Sequence, residues 1–86
     1  ETLINNLEIY PNPSRDVFNV SFKSETKQSI EVRVVNLVGE IIFTENLENF
    51  EGEYTHLFNL SEYSKGIYLF ELDTDLGFVN MRLILQ

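Results

Sequence analysis

Apolar side chains in this chain recur at every second residue, a period that fits a strand with one buried face and does not fit a helix. In Val17-Phe18-Asn19-Val20-Ser21-Phe22-Lys23, residues Phe18, Val20 and Phe22 share one face while Asn19, Ser21 and Lys23 share the other. Residues 30–34 repeat the pattern, with the opposite charges Glu31 and Arg33 on the wet side. Three more runs follow at residues 40–47, 54–59 and 66–73; in the first, Ile41, Phe43 and Glu45 oppose Ile42, Thr44 and Asn46. Residues 7–10 make a short opening strand. Residues 78–85 make the closing one, with Phe78, Asn80, Arg82 and Ile84 opposite Val79, Met81, Leu83 and Leu85.

Turn chemistry falls between the runs. Pro11-Asn12-Pro13-Ser14 ends the first strand, because each proline lacks an amide donor and drives its predecessor to extended geometry. Residues 24–29 are polar and read as a loop, and residues 48–53 as an acidic loop around Gly52. Asn36-Leu37-Val38-Gly39 is a compact turn whose glycine can take positive φ. Residues 61–66 are expected to form one helical turn, capped by Ser61 and ended by Gly66. Residues 73–77 are a hairpin loop closing on Gly77. Seven short strands punctuated in this way predict an all-β fold, a seven-stranded antiparallel immunoglobulin-like β-sandwich.

Composition agrees. The 86 residues contain no alanine and no tryptophan, but 7 Phe and 4 Tyr, so the best helix former is missing and strand formers are abundant. Scaling relations give a chain of this mass a folded surface of roughly 5,300 Å² and bury about two-thirds of the unfolded surface, enough for one core. Phe18, Phe22, Tyr68 and Phe70 are expected to fill it. With no cysteine, disulfides, thiol nucleophiles and thiolate metal sites are excluded. A net charge of −8, from 14 acids and six bases, argues against nucleic acid and anionic membranes as partners. No apolar run reaches the length of a transmembrane segment. The chain opens on Glu1 without the basic-then-apolar pattern of a signal peptide, and reads as a domain cut from a longer protein.

Chemistry is sparse. The single histidine, His56, lies within a strand and is read as a surface residue, because no serine is placed beside it by spacing. No catalytic group, cofactor or metal is therefore expected. Glu71, Asp73 and Asp75 alternate toward a strand end and would offer oxygen ligands to a hard cation, yet they lack the glycine and closing glutamate of an EF-hand loop. Tyr10, Phe50, Tyr54 and Tyr63 are the candidates for a sugar-binding platform, with packing as the plainer role for each.

Three motifs carry the reading further. They are Ile9-Tyr10-Pro11-Asn12-Pro13 before an alternating strand, Val35-Asn36-Leu37-Val38-Gly39-Glu40-Ile41-Ile42, and Asn59-Leu60-Ser61-Glu62-Tyr63-Ser64-Lys65-Gly66-Ile67-Tyr68-Leu69. In this order and spacing the chain resembles the C-terminal sorting domain, type A, of the type IX (Por) secretion system of the Bacteroidetes, from about Leu7 to Gln86. The resemblance implies a non-catalytic address label, residues 7–86, with residues 1–6 as the junction to an upstream cargo. It implies passage through the periplasm, recognition by the outer-membrane translocon, removal by a sortase, and cargo attached to the cell surface or secreted.

The motif residues Tyr10, Pro11, Asn12, Pro13, Asn36, Gly39, Leu60, Ser61, Gly66, Ile67 and Tyr68 are read as keeping the fold, with Tyr68 a candidate for a hydroxyl-to-backbone tyrosine corner. Recognition is assigned instead to the exposed part of the last strand: Asn80, Arg82 and Gln86. Relatives often end in lysine, whereas this chain ends Leu83-Ile84-Leu85-Gln86 and keeps Arg82 as its nearby cation. The rival reading is an adhesion or carbohydrate-binding β-sandwich module, marked by an exposed aromatic row or a contiguous polar groove. Exposed sheet edges also allow strand-mediated self-association.

Overall fold

The computed structural model describes residues 2–86. Its strands are β1 (Ile4–Tyr10), β2 (Val17–Asn36), β3 (Ile41–Asn59), β4 (Gly66–Thr74) and β5 (Gly77–Leu85). Every strand pair, β1–β2, β2–β3, β2–β4 and β4–β5, is antiparallel. The expected all-β antiparallel class is present. The count differs: five strands stand among the described residues where seven were expected, because β2 and β3 each run through two of the expected strands.

The difference has a local cause. Residues 24–29 and 48–53 look like loops because they are polar, yet the ladder continues through them by means of bulges. Between Ser24↔Gly52 and Gln28↔Phe50, β2 advances further than β3, and between Gln28↔Phe50 and Ile30↔Leu47 the excess lies on β3. Two residues with left-handed backbone, Asn49 at φ 52° and Gly52 at φ 105°, make the bend on β3. Each long strand therefore turns back on itself. The first half of β2 pairs with β1 and the second half of β3, while its second half pairs with β4 and the first half of β3.

One curled sheet thus wraps a single core. Phe18, Phe22, Tyr68 and Phe70 are all buried in it, as expected, together with Val20, Ile30, Val32, Val34, Leu72, Leu83 and Leu85. The two halves meet where the Phe58 ring lies 6.1 Å from Phe70 and 4.8 Å from Phe43. Accessible surface is 5162 Å², close to the value expected from mass.

Smaller differences follow from side-chain hydrogen bonding. Strand β1 begins at Ile4, earlier than the apolar pattern indicates, with Ile4 opposite Ser24 and Asn5 opposite Lys23. Glu1 lies outside the described residues. Residues 61–66 form a turn rather than a helical turn. Tyr63 N–H donates to the Leu60 carbonyl, and it is the Asn59 side chain, not Ser61, that caps, by accepting from Ser61 N–H. In β3, a bulge between Ile41 and Phe43 turns Ile41 outward, so the two do not share a face. The β4–β5 connection is tighter than expected, with Thr74 paired to Gly77 across Asp75 and Leu76.

The bends put the chain's landmarks at two ends. Asn36, Tyr68 and Leu85 finish at one end beside Val17 and Asn59; we call this the motif end. The other, the bend end, holds the β2 and β3 bulges, the β4–β5 turn and Thr2. There Gln28 Nε2 donates to the Thr2 carbonyl, and Glu25 N–H to that of Leu3.

Candidate recognition surface

All three sequence motifs converge on the motif end, and most of their atoms are used in building it. Asn12 acts as a short surrogate strand against β5. Its Nδ2 donates to the Arg82 carbonyl at 2.8 Å and its Oδ1 accepts from Ile84 N–H at 3.0 Å. Ser14 continues the clamp in parallel register, donating its N–H to the Ile84 carbonyl and accepting from Gln86 N–H. The Ser14 hydroxyl donates to the Val17 carbonyl, folding the segment back into β2. Tyr10 itself is exposed, and the bonds before Pro11 and Pro13 are cis.

The third motif locks onto the first. Leu60 N–H donates to the Asp16 carbonyl and Lys65 Nζ to the Arg15 carbonyl, both at 2.7 Å. The Tyr68 hydroxyl donates to the Ser64 carbonyl, the expected tyrosine corner, while its ring is buried. Gly66 and Gly39 take φ of 147° and 89°, conformations that strain any residue with a Cβ. In the second motif Asn36 Oδ1 accepts from Val38 N–H and Glu40 N–H, and its Nδ2 donates to Glu40 Oε1.

Between the second and third motifs lies a groove of about 440 Å³ lined by Leu37, Val38, Ile42, Tyr63 and Ile67 among others. Val38 is 84% exposed and Leu37 67% exposed. This apolar rim was missed at the sequence level; its signal is a Leu-Val pair in a turn whose other residues are polar. Asn80, Arg82 and Gln86 are all exposed on or beside β5, so that strand's outer face is open to a partner. Arg15, Lys65 and Arg82, half of the six cations, belong to the segments gathered at or next to this end.

The acidic residues serve other roles. Arg33 is held by Glu31 at 2.8 Å and Glu71 at 3.0 Å, with Asp73 at 3.9 Å. Its hydrogen bond to Glu71, and then the surrounding carboxylates, hold the guanidinium proton above the ordinary arginine range against the opposing effect of burial. Asp75 lies beyond β4 and accepts from Ser29 N–H at 2.9 Å, so the three acids do not form one cluster. Among the described residues no group of three His, Asp or Glu side chains is placed to hold a metal.

His56 departs from the surface reading. It sits half-buried on the inner side of β3, 4.3 Å from the Phe58 ring and 5.2 Å from Phe43, where the two halves of β3 face each other. Tyr54, buried in the same seam, donates its hydroxyl to Glu45 Oε1 at 2.9 Å. Burial first, then that hydrogen bond and the carboxylate charge, push the Tyr54 phenol above its ordinary 10.0. Of the four platform candidates, Tyr54 and Phe50 are thus packed against Phe22. Tyr10 and Tyr63 line separate grooves and make no row.

What the three ordered motifs build is one end of a small antiparallel β domain. The family model for the secretion system C-terminal sorting domain matches residues 8–86, and the chain belongs to that family. It is therefore a non-catalytic type IX sorting domain, directing export to the cell surface or beyond. The chain is also similar to an endo-acting ulvan lyase of Formosa agariphila, at 29% identity over 70 residues. That match covers 81% of this chain but 13% of the lyase.

Proposed function

We propose that this domain is the removable address label of an exported cargo protein, read in the periplasm by the outer-membrane translocon and then cut away by a sortase. The observation that carries this reading is the family match across residues 8–86, which takes in all three motifs and the whole of β5. The similar lyase supports a cargo domain upstream, since this chain corresponds to only 13% of it. A cargo joined before Thr2 would sit at the bend end, leaving the motif end and β5 free for the translocon. The junction of residues 1–6 overlaps the start of β1 in this reading, and the cut lies before Ile4, the first β1 residue paired with β2.

Asn80, Arg82 and Gln86 are the proposed contact residues, because their side chains are exposed and the core does not need them. The test is a cargo fusion carrying Arg82→Ala together with Asn80→Ala, with the melting temperature of the isolated domain measured alongside. Accumulation of the fusion in the periplasm at unchanged melting temperature is the expected result. Undiminished surface delivery would remove these residues from the reading. Deleting residues 79–86 should also block delivery, but that change strips Leu83 and Leu85 from the core, so it tests fold and recognition together.

A further inference from the structure

Strand β5 ends the sheet, and its free edge is only partly covered. The Arg82 carbonyl, both backbone groups of Ile84 and the Gln86 N–H point off the sheet, where Asn12 and Ser14 bond them. The β4–β5 register runs without a bulge from Gly66↔Leu85 to Thr74↔Gly77. Strand alternation therefore turns the N–H and C=O groups of Phe78 and Asn80, and the Arg82 N–H, off the same edge. No described strand pairs with them. The usual safeguards of an open edge, proline, a bulge or lysine, are missing between Phe78 and Arg82.

We propose that this open stretch pairs with the same stretch of a second copy, antiparallel and centred on Asn80. The register is self-complementary. Asn80 exchanges both backbone hydrogen bonds with its counterpart, and Arg82 N–H of each copy donates to the Phe78 carbonyl of the other. Neither bond displaces the Asn12 clamp. The pairing stops where each β5 turns into β4 at Gly77, which is where the clamp of the other copy begins.

Side chains fit the same register. Phe78, half exposed, faces Arg82 of the second copy on the outer side, a cation-over-ring contact. Asp73 lies beside Phe78 on β4 with its side chain 54% exposed, so the guanidinium that crosses the ring meets a carboxylate beyond it. On the inner side Val79 meets Met81, continuing the apolar face. A two-fold contact of this kind closes on itself and does not propagate. It buries the edge that carries Asn80 and Arg82, so pairing and translocon binding through those residues exclude each other.

A pairing this short is a weak interface, so it is measured at high concentration. Sedimentation of the purified chain over a dilution series up to the millimolar range should show a monomer–dimer equilibrium. Asn80→Pro removes an N–H that no internal bond uses and should weaken association at least about tenfold. Asn80→Cys, in a chain otherwise free of cysteine, places thiols on residues about 5.5 Å apart between copies. A short bismaleimide should link it into dimers, while Thr55→Cys on the outer face of β3 should stay monomeric. A chain that is monomeric throughout, or a dimer that survives Asn80→Pro, would overturn the proposal. Should Asn80→Pro fail to fold, equal crosslinking of the two cysteine variants overturns it instead. None of these readouts involves secretion, so their failure leaves the address-label reading standing.

Discussion

At the scale of single residues, Asn12 shows what a short motif can do. Its side-chain amide satisfies a carbonyl and an N–H of β5 that would otherwise face water. Asn12→Ala should cost about 1–2 kcal/mol and speed amide exchange at Ile84, because it removes two hydrogen bonds, each typically worth about 0.5–1.5 kcal/mol net. Asn12→Asp should be at least as damaging, since it keeps the acceptor for Ile84 N–H but sets a carboxylate oxygen against the Arg82 carbonyl. Urea unfolding of both variants, with exchange at Ile84, checks this. Tyr54 gives a pH-dependent counterpart. Its phenol is held above its unfolded value, so the folded state keeps a proton that the unfolded chain releases once pH passes about 10. Its contribution is fully present below that pH and is lost as pH rises through the folded value. Stability of the parent should fall more steeply with alkali than that of Tyr54→Phe, measured by urea unfolding from about pH 8 to pH 11.

At the scale of elements, the two bent strands decide the architecture. Gly52 carries φ of 105° in the β3 bend, with open space where a Cβ would go. Gly52→Ala should therefore cost at least about 1 kcal/mol through backbone strain alone, with no clash to relieve it. A melting temperature equal to the parent's would show that the bend does not need the left-handed conformation. The same bends explain what the sequence made legible and what it hid. Alternation separated the two faces of residues 17–23 and 78–85 and pointed to Phe18, Phe22, Tyr68 and Phe70 as core, because a straight half-buried strand leaves period two in its side chains. Bulges break that period: polar residues 24–29 and 48–53 read as loops although the β2–β3 ladder resumes across them, and Ile41 was grouped with Phe43, whose face it does not share. The motif residues were legible as turn chemistry, whereas the Asn12–β5 clamp joins positions about 70 apart and leaves no local pattern.

At the scale of the whole molecule, one core without disulfides must hold both halves of the sheet. Phe70 is fully buried and its ring lies 6.1 Å from Phe58 of the other half. Phe70→Ala should cost roughly 3–5 kcal/mol, a large share of what a domain this size has. Thermal melting checks it, since a shift under about 2 °C would mean that the ring is not a bridge between the halves. The molecule, 35 Å long, places Thr2 at one end and Gln86 at the other. Its acidic groove, lined by Glu31, Glu48, Asp73 and Asp75, lies at the bend end, away from the motif surface. Such polarity suits a label that carries cargo at one end and is read at the other.

The direct test of that claim is transfer. Residues 2–86 are fused to the C-terminus of a reporter bearing an inner-membrane export signal, and the reporter is located in a bacterium with a working type IX system and in its translocon-deficient sibling. The account predicts reporter at the surface or in the medium of the first strain and retained in the periplasm of the second. A folded fusion that stays periplasmic in both strains, or leaves both equally, would contradict it.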